Sequence, residues 1–328
     1  MMDALYMHFT VSGVKTWVFL PPLVAFVVSF FTSMGGVSGA FLLLPFQVSV
    51  LGFTSPAVSP TNLIFNVIAI PSGVYRYIKE GRMAWPLTWV IIIGTLPGVM
   101  LGAILRIKYL PDPRAFKLFV GCVLLYIGGR MLYELLGKKG GGKEKIKAME
   151  AKFKKRATRM RQERKAKLAA GLPTDAVVKT ISASITCIEY EFYGETYRFN
   201  TWVLFLLTFI VGIIGGTYGI GGGAMIAPFL ITFYSLPVYT IAGAALMGTF
   251  LTSIVGVVFY TLIAPMYAHT GLAIAPDWLL GILFGIGGTV GMYCGARAQK
   301  FVPSRVIRFI LGLIITLLAA RYVTQYFG

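Results

Sequence analysis

The chain has 328 residues, of which 57% are hydrophobic and 13% charged, and its mean hydropathy is +0.77. A soluble domain carries about 25% charged residues, so an ordinary water-soluble globular fold is excluded. Thirty Lys and Arg against 12 Asp and Glu give a net charge of +18.

In chain order, no Asp, Glu, Lys or Arg occurs from Thr16 to Tyr75. A helix needs about 20 apolar residues to cross the hydrocarbon, so this run holds more than one crossing. Its first apolar stretch, from Trp17, leads into further membrane segments and reads as a retained helix rather than a cleaved signal. Within the run, Ser33 to Phe46 (SMGGVSGAFLLLPF) is interrupted by glycines. Three longer spans follow, about Pro60 to Tyr77, Ala84 to Leu105 and Ala115 to Leu136. In the second of these, Gly94, Gly98 and Gly102 share one helix face, which predicts close helix packing rather than a binding role.

The basic excess lies next. From Lys138 to Lys179 there are fifteen Lys or Arg and four Asp or Glu, a net of +11. The positive-inside tendency predicts that this insert is cytoplasmic. Lys143 to Leu168 has the spacing of an amphipathic helix, with Ile146, Met149, Phe153 and Met160 on its apolar side. Two fates are open to it: lying on anionic lipid of the inner leaflet, or a solvated helical excursion. One aromatic in the patch, no recognisable fold and a membrane host argue against nucleic acid. Thr180 to Phe192, with a turn at Tyr193-Gly194-Glu195, predicts a short hairpin.

The second half repeats the first. No charged residue occurs from Phe199 to Pro276, and Gly216 to Phe229 (GTYGIGGGAMIAPF) aligns with the earlier motif at an offset of 183. Gly36 pairs with Gly219, Gly39 with Gly222, Pro45 with Pro228 and Phe46 with Phe229. Spans of about Tyr239 to Ile263, Ile274 to Ala296 and Ser304 to Gln325 follow, and Gly287, Gly291 and Gly295 answer the glycine steps of the first half. The organisation is therefore 1–137 as transmembrane repeat 1, 138–200 as the basic insert, and 201–328 as transmembrane repeat 2. The loop Ala264 to Ala275 lacks Lys and Arg, whereas Arg297 to Arg308 carries four. The first-half loop with Arg106, Lys108, Arg114 and Lys117 breaks the charge rule if the halves are inverted. If they are parallel the far more basic insert breaks it, so inversion is the expectation. The fold class is an all-α polytopic membrane protein with two inverted-topology repeats, each a glycine-broken segment plus three transmembrane helices, eight to ten membrane helices in all. The setting is a multi-pass protein of the cell (inner) membrane.

A glycine-rich break repeated in corresponding positions of two halves points to a transporter's binding site. Non-helical backbone at membrane depth persists only where it is buried in protein or lines a wet cavity. The half-helix after the break starts with free N–H groups and a positive dipole end, which suits an anion. This makes Gly36, Ser38 and Gly39 of the first copy, and Gly221, Gly222 and Gly223 of the second, candidates for substrate binding. The next span adds Thr61, Asn62 and Asn66, and the second half adds Thr249 and Thr252. Amides and hydroxyls donate to an oxyanion without a fixed counter-charge. Interhelical hydrogen bonding is the competing role for Asn62 and Asn66, and bonding to its own helix backbone the competing role for Thr252.

No embedded acidic or histidine relay, nucleophile–base pair, metal cluster or nucleotide loop is present in the sequence. No cofactor is expected, and a membrane enzyme is disfavoured. An interior-negative potential drives an anion outward by about 2.3 kcal/mol per charge per 100 mV, so anion export needs no proton-carrying residue.

The paired motifs and the segments SGVYRYIKEGRMAW and LPDPRAFKLFVGCVLLYIGGRML resemble the TauE/SafE sulfite exporter family, also called toluene-sulfonate uptake permeases. The resemblance covers nearly all of both halves. It implies a transporter moving sulfite, thiosulfate or organosulfonates, usually outward, with Gly36, Gly39, Pro45, Gly219, Gly222 and Pro228 at the family's most specific positions. Ser38 stands where that family commonly has glycine, SPTNL replaces a VGTSL-like segment, and compact members lack the insert. The first two differences lie at the candidate site and leave the particular anion open; the insert points to regulation or partner binding. Beside export by alternating access stand an anion channel and a membrane sensor or scaffold that signals through the insert; an oligomer is compatible with each.

Overall fold

The computed structural model describes residues 5–34, 37–79, 81, 83–136, 178–192, 195–234, 238–298 and 304–327. The amphipathic helix expected over Lys143 to Leu168 and the glycine at Gly36 lie outside them. The fold is mostly helical. The first half contributes α1 (Leu20–Met34), α2 (Ala40–Ser49), α3 (Val58–Lys79), α4 (Trp85–Lys108) and α5 (Pro113–Leu136). The second contributes α6 (Thr201–Tyr218), a 3₁₀ turn (Gly222–Met225), α7 (Ile226–Tyr234), α8 (Val238–Ile263), α9 (Trp278–Ala298) and α10 (Ser304–Phe327). Both halves thus open with a helix, a glycine interruption and a short second helix.

Four segments among the described residues are long and apolar enough to cross a membrane: Trp85–Lys108, Thr201–Tyr218, Thr240–Thr270 and Trp278–Gly295. Leu20–Ser33 and Ala40–Ser49 are shorter apolar helices. The protein is a multi-pass membrane protein.

Two small antiparallel sheets accompany the helices. The strand-forming run after the insert holds the expected hairpin, β4 (Cys187–Phe192) paired with β5 (Glu195–Asn200), and adds a third strand before it, β3 (Lys179–Ala183). The run Thr180 to Phe192 itself folds back, because Ser184 closes a turn by accepting from the Cys187 amide and donating to the Cys187 carbonyl. The sheet docks on α8 through Tyr190, whose hydroxyl lies 3.0 Å from that of Thr240. Burial pushes the Tyr190 phenol well above its ordinary range, so it stays neutral. A second pair near the N-terminus, β1 (Tyr6–His8) and β2 (Lys15–Trp17), was not anticipated. The loop after α8 winds as a 3₁₀ helix, Ala264–Thr270.

Helix contacts join the halves in matched pairs: α4 packs on α6 as α9 packs on α1, α3 on α9 as α8 on α4, α3 on α8, and α5 on α10. The glycine steps make the first two seams. A Cβ on Gly98 would stand 2.5 Å from the Phe209 carbonyl oxygen, and one on Gly102 would stand 2.5 Å from the Thr217 nitrogen. Gly212 and Gly216 of α6 press back on Thr95 and Val99. Gly287, Gly291 and Gly295 meet the backbone of Pro22, Phe26 and Phe30 in the same ascending order. Small residues let backbones approach where no hydrophobic effect drives helices together.

The order of contacts fixes directions. Along both seams numbers rise together, so α4 runs parallel to α6 and α9 parallel to α1. Gly281 and Gly285 follow Ile64 and Ile68, so α9 is also parallel to α3. Gly243 meets Tyr77 while Gly256 meets Leu63, so α3 and α8 are antiparallel. Gly121 meets Tyr322 while Gly128 meets Thr316, so α5 and α10 are antiparallel as well.

Candidate functional site

The second break is built from its glycines. Helix α6 starts at Asn200, whose side chain accepts from the amides of Trp202 (2.9 Å) and Val203 (3.2 Å), and ends at Gly219 in the left-handed region at φ 84°. Its amide closes on Gly215, the usual way a glycine stops a helix. Gly221 has φ 84° and ψ 147°, a conformation open essentially to glycine alone. The chain then restarts as the 3₁₀ turn and α7, with the Gly222 amide donating to Thr252 Oγ1 at 3.1 Å.

Two asparagines of α3 tie this break to the first one. Asn62 Nδ2 donates to the Ala40 carbonyl (3.1 Å) and to the Gly219 carbonyl (2.9 Å), so one amide spans both breaks. Its Oδ1 accepts from Gln47 Nε2 at 3.2 Å. Asn66 does the same one turn on: Oδ1 accepts from Ser38 at 2.5 Å, and Nδ2 donates to the Ile220 carbonyl (2.9 Å) and Ser253 Oγ (3.2 Å). Asn62, Asn66, Ser38, Thr249, Thr252 and Ser253 are all 0% exposed. Next to Gly39 lies the Ser29 hydroxyl, buried and without a partner among the described residues.

The proline that ends the first motif has a physical consequence. Pro45 has no N–H, so the carbonyl four residues earlier, Phe41, loses its intrahelical donor. The Tyr218 hydroxyl, from the end of α6, fills it at 3.0 Å. Tyr322 of α10 donates to the Pro45 carbonyl at 3.0 Å and lies 2.5 Å from Ser49 Oγ. Helix α2 is therefore held by hydroxyls from the other half. Tyr218→Phe is expected to lower stability by about 1–3 kcal/mol, the cost of an orphaned buried carbonyl. An unchanged Tm in a detergent melt would show that the carbonyl needs no partner.

Of the candidates read from sequence, Ser38, Gly39, Asn62, Asn66, Gly221, Gly222, Gly223, Thr249 and Thr252 come together around the two breaks. A Cβ on Gly223 would stand 2.6 Å from the Thr249 nitrogen. Thr249 itself donates back to Ala245 (2.8 Å) and Thr252 to Gly248 (2.7 Å), the helix-backbone bonding that competes with a binding role. Thr61 stands apart: it donates to Ala57 (2.8 Å) and accepts from the Asp277 amide (2.8 Å), where α9 begins. Gln47, Tyr218, Ser253 and Tyr322 belong to the network but were not singled out. The missing N–H at Pro45 demanded a donor; nothing local named Tyr218 as that donor.

The protein-family model described as "Sulfite exporter TauE/SafE" matches residues 22–322. The chain belongs to this family. The match runs from α1 into α10 and contains both breaks and both asparagines. No curated protein and no solved structure matches the chain. TauE/SafE is a family of transporters of sulfur compounds.

Proposed function

We propose that this TauE/SafE member is a secondary transporter that exports a small sulfur-containing anion, sulfite, thiosulfate or an organosulfonate, across the cell membrane by alternating access. The observation that carries the reading is the Asn62 amide bridging the Ala40 and Gly219 carbonyls, one from each break. Donors that now clamp the breaks together, Asn62 Nδ2, Asn66 Nδ2, the Ser38 hydroxyl and the Gly222 amide, are the ones an oxyanion takes when the halves part. They carry no formal charge, so the anion is released as readily as it is bound.

The halves are inverted repeats in this reading. Antiparallel α3 and α8, and antiparallel α5 and α10, are each a helix and its counterpart, which supports it. The basic insert then marks the cytoplasmic face, and the loops around Asp112 and Asp277 face outside. Rocking one half against the other moves the site between faces. With the interior negative, outward movement of the anion is downhill.

The test is purified protein in liposomes under an imposed potential, with sulfite, thiosulfate, sulfoacetate and chloride compared. Saturable, potential-driven flux of a sulfur anion with counter-exchange is expected. Flux that never saturates makes the protein a channel, and no movement of any sulfur anion overturns the proposal.

A further inference from the structure

Resting on the reading above, we propose that Arg106, with Tyr260 and Ser59, forms a second oxyanion station on the face opposite the basic insert, next to the Gly219 break. The sequence places Arg106 in a basic loop. In the structure it belongs to the last turn of α4 and is 0% exposed. Its guanidinium carbon lies 3.8 Å from the centre of the Phe116 ring, and Nη1 donates to the Leu110 carbonyl. The remaining edge, Nε and Nη2, has no hydrogen-bond partner among the described residues. No carboxylate among them pairs with it.

A buried cation held only by an aromatic face and one carbonyl, with Nε and Nη2 idle, is costly. Capping Leu110 needs one donor and leaves the other edge unexplained. That edge is the fork that engages two oxygens of one anion. The surroundings add to it. Tyr260 lies within electrostatic reach of Arg106 and beside the Ser59 hydroxyl. Both hydroxyls are buried and close enough to hydrogen-bond each other, and neither has a partner beyond that pair among the described residues. Ser59 in turn backs onto the second break: a Cβ on Gly219 would stand 2.6 Å from Ser59 Oγ. The idle Arg106 edge and the two hydroxyls thus gather at one place, within reach of the break, and no described acceptor serves the Arg106 edge.

The ligand class is a small oxyanion. Two of its oxygens face the Arg106 edge, and a third faces the hydroxyls of Tyr260 and Ser59. The station receives the anion as it leaves the breaks.

The test is equilibrium dialysis of labelled thiosulfate with the purified full-length protein, run beside the liposome flux assay. Asn66→Leu should remove the binding at the breaks. Arg106→Gln should remove a separate class of site, and Tyr260→Phe should weaken that class roughly tenfold. A purely structural Arg106 would change stability without changing the number of sites. If Arg106→Gln does not fold, Tyr260→Phe carries the test, since it deletes one oxygen and keeps the ring. An isotherm for either folded variant that overlays the wild type overturns the station. Binding lost in Arg106→Gln together with no wild-type flux of any sulfur anion overturns the transport reading and leaves the station standing. Flux with unchanged Arg106→Gln binding does the reverse.

Discussion

Gly98→Val is expected to abolish recovery of folded protein, and Gly291→Val to do the same. A Cβ at Gly98 would stand 2.5 Å from the Phe209 oxygen and 2.8 Å from the Ile213 nitrogen. One at Gly291 would stand 2.8 Å from Phe26 Cα. These are backbone atoms of the facing helix, so no rotamer change relieves the clash. The whole of α6 or α1 must move outward, and every contact along the seam weakens with it. Overpacking of a core side chain costs about 1–3 kcal/mol; displacement of an entire helix exceeds that. Gly129→Val is the control, since nothing lies within 4 Å of a Cβ there. Size-exclusion profiles and thermal melts in detergent would read all three. Wild-type behaviour of Gly98→Val would refute the packing of α4 on α6.

Asn66→Leu is expected to abolish anion flux while reducing, but not eliminating, folded protein. Leucine is of similar size but can neither accept from Ser38 nor donate to the Ile220 carbonyl and Ser253. Each buried group left without a partner costs about 1–3 kcal/mol. Asn66→Asp keeps the shape and the Ser38 bond, yet turns a donor toward Ile220 into a negative acceptor. It should stop flux as well, by repelling both that carbonyl and the substrate. Thr61→Val separates stability from transport. Its hydroxyl serves Ala57 and the Asp277 amide at the start of α9, so Tm should fall while the half-saturation concentration stays at the wild-type value. If Asn66→Leu retained normal flux, the breaks would not be the site.

Much of the helix plan was legible because membrane helices write themselves in long apolar runs. The spans read as Pro60 to Tyr77, Ala84 to Leu105 and Ala115 to Leu136 differ by a few residues from α3, α4 and α5. Gly94, Gly98 and Gly102 were legible as packing residues, since a spacing of four admits only one face. The strands were less so. Thr180 to Phe192 carries β propensity throughout, and only the Ser184 turn divides it into β3 and β4.

The sequence by itself determined the membrane setting, the twofold plan, the interruptions at the two glycine motifs and the family, because each depends on composition or on residues near one another in the chain. Tertiary structure decided what depends on partners far apart. It gave Asn62 a carbonyl from each half, set Thr61 against Asp277, and assigned Tyr218 to the carbonyl that Pro45 leaves free. It also separated Arg106 from the other basic residues of its loop. Charge and spacing treat Arg106 and Lys108 alike; only the packing of Phe116 and Tyr260 around α4 buries the first and leaves the second exposed. Burial, which turns an ordinary cation into a binding group, is a property of the assembled helices and has no local signature.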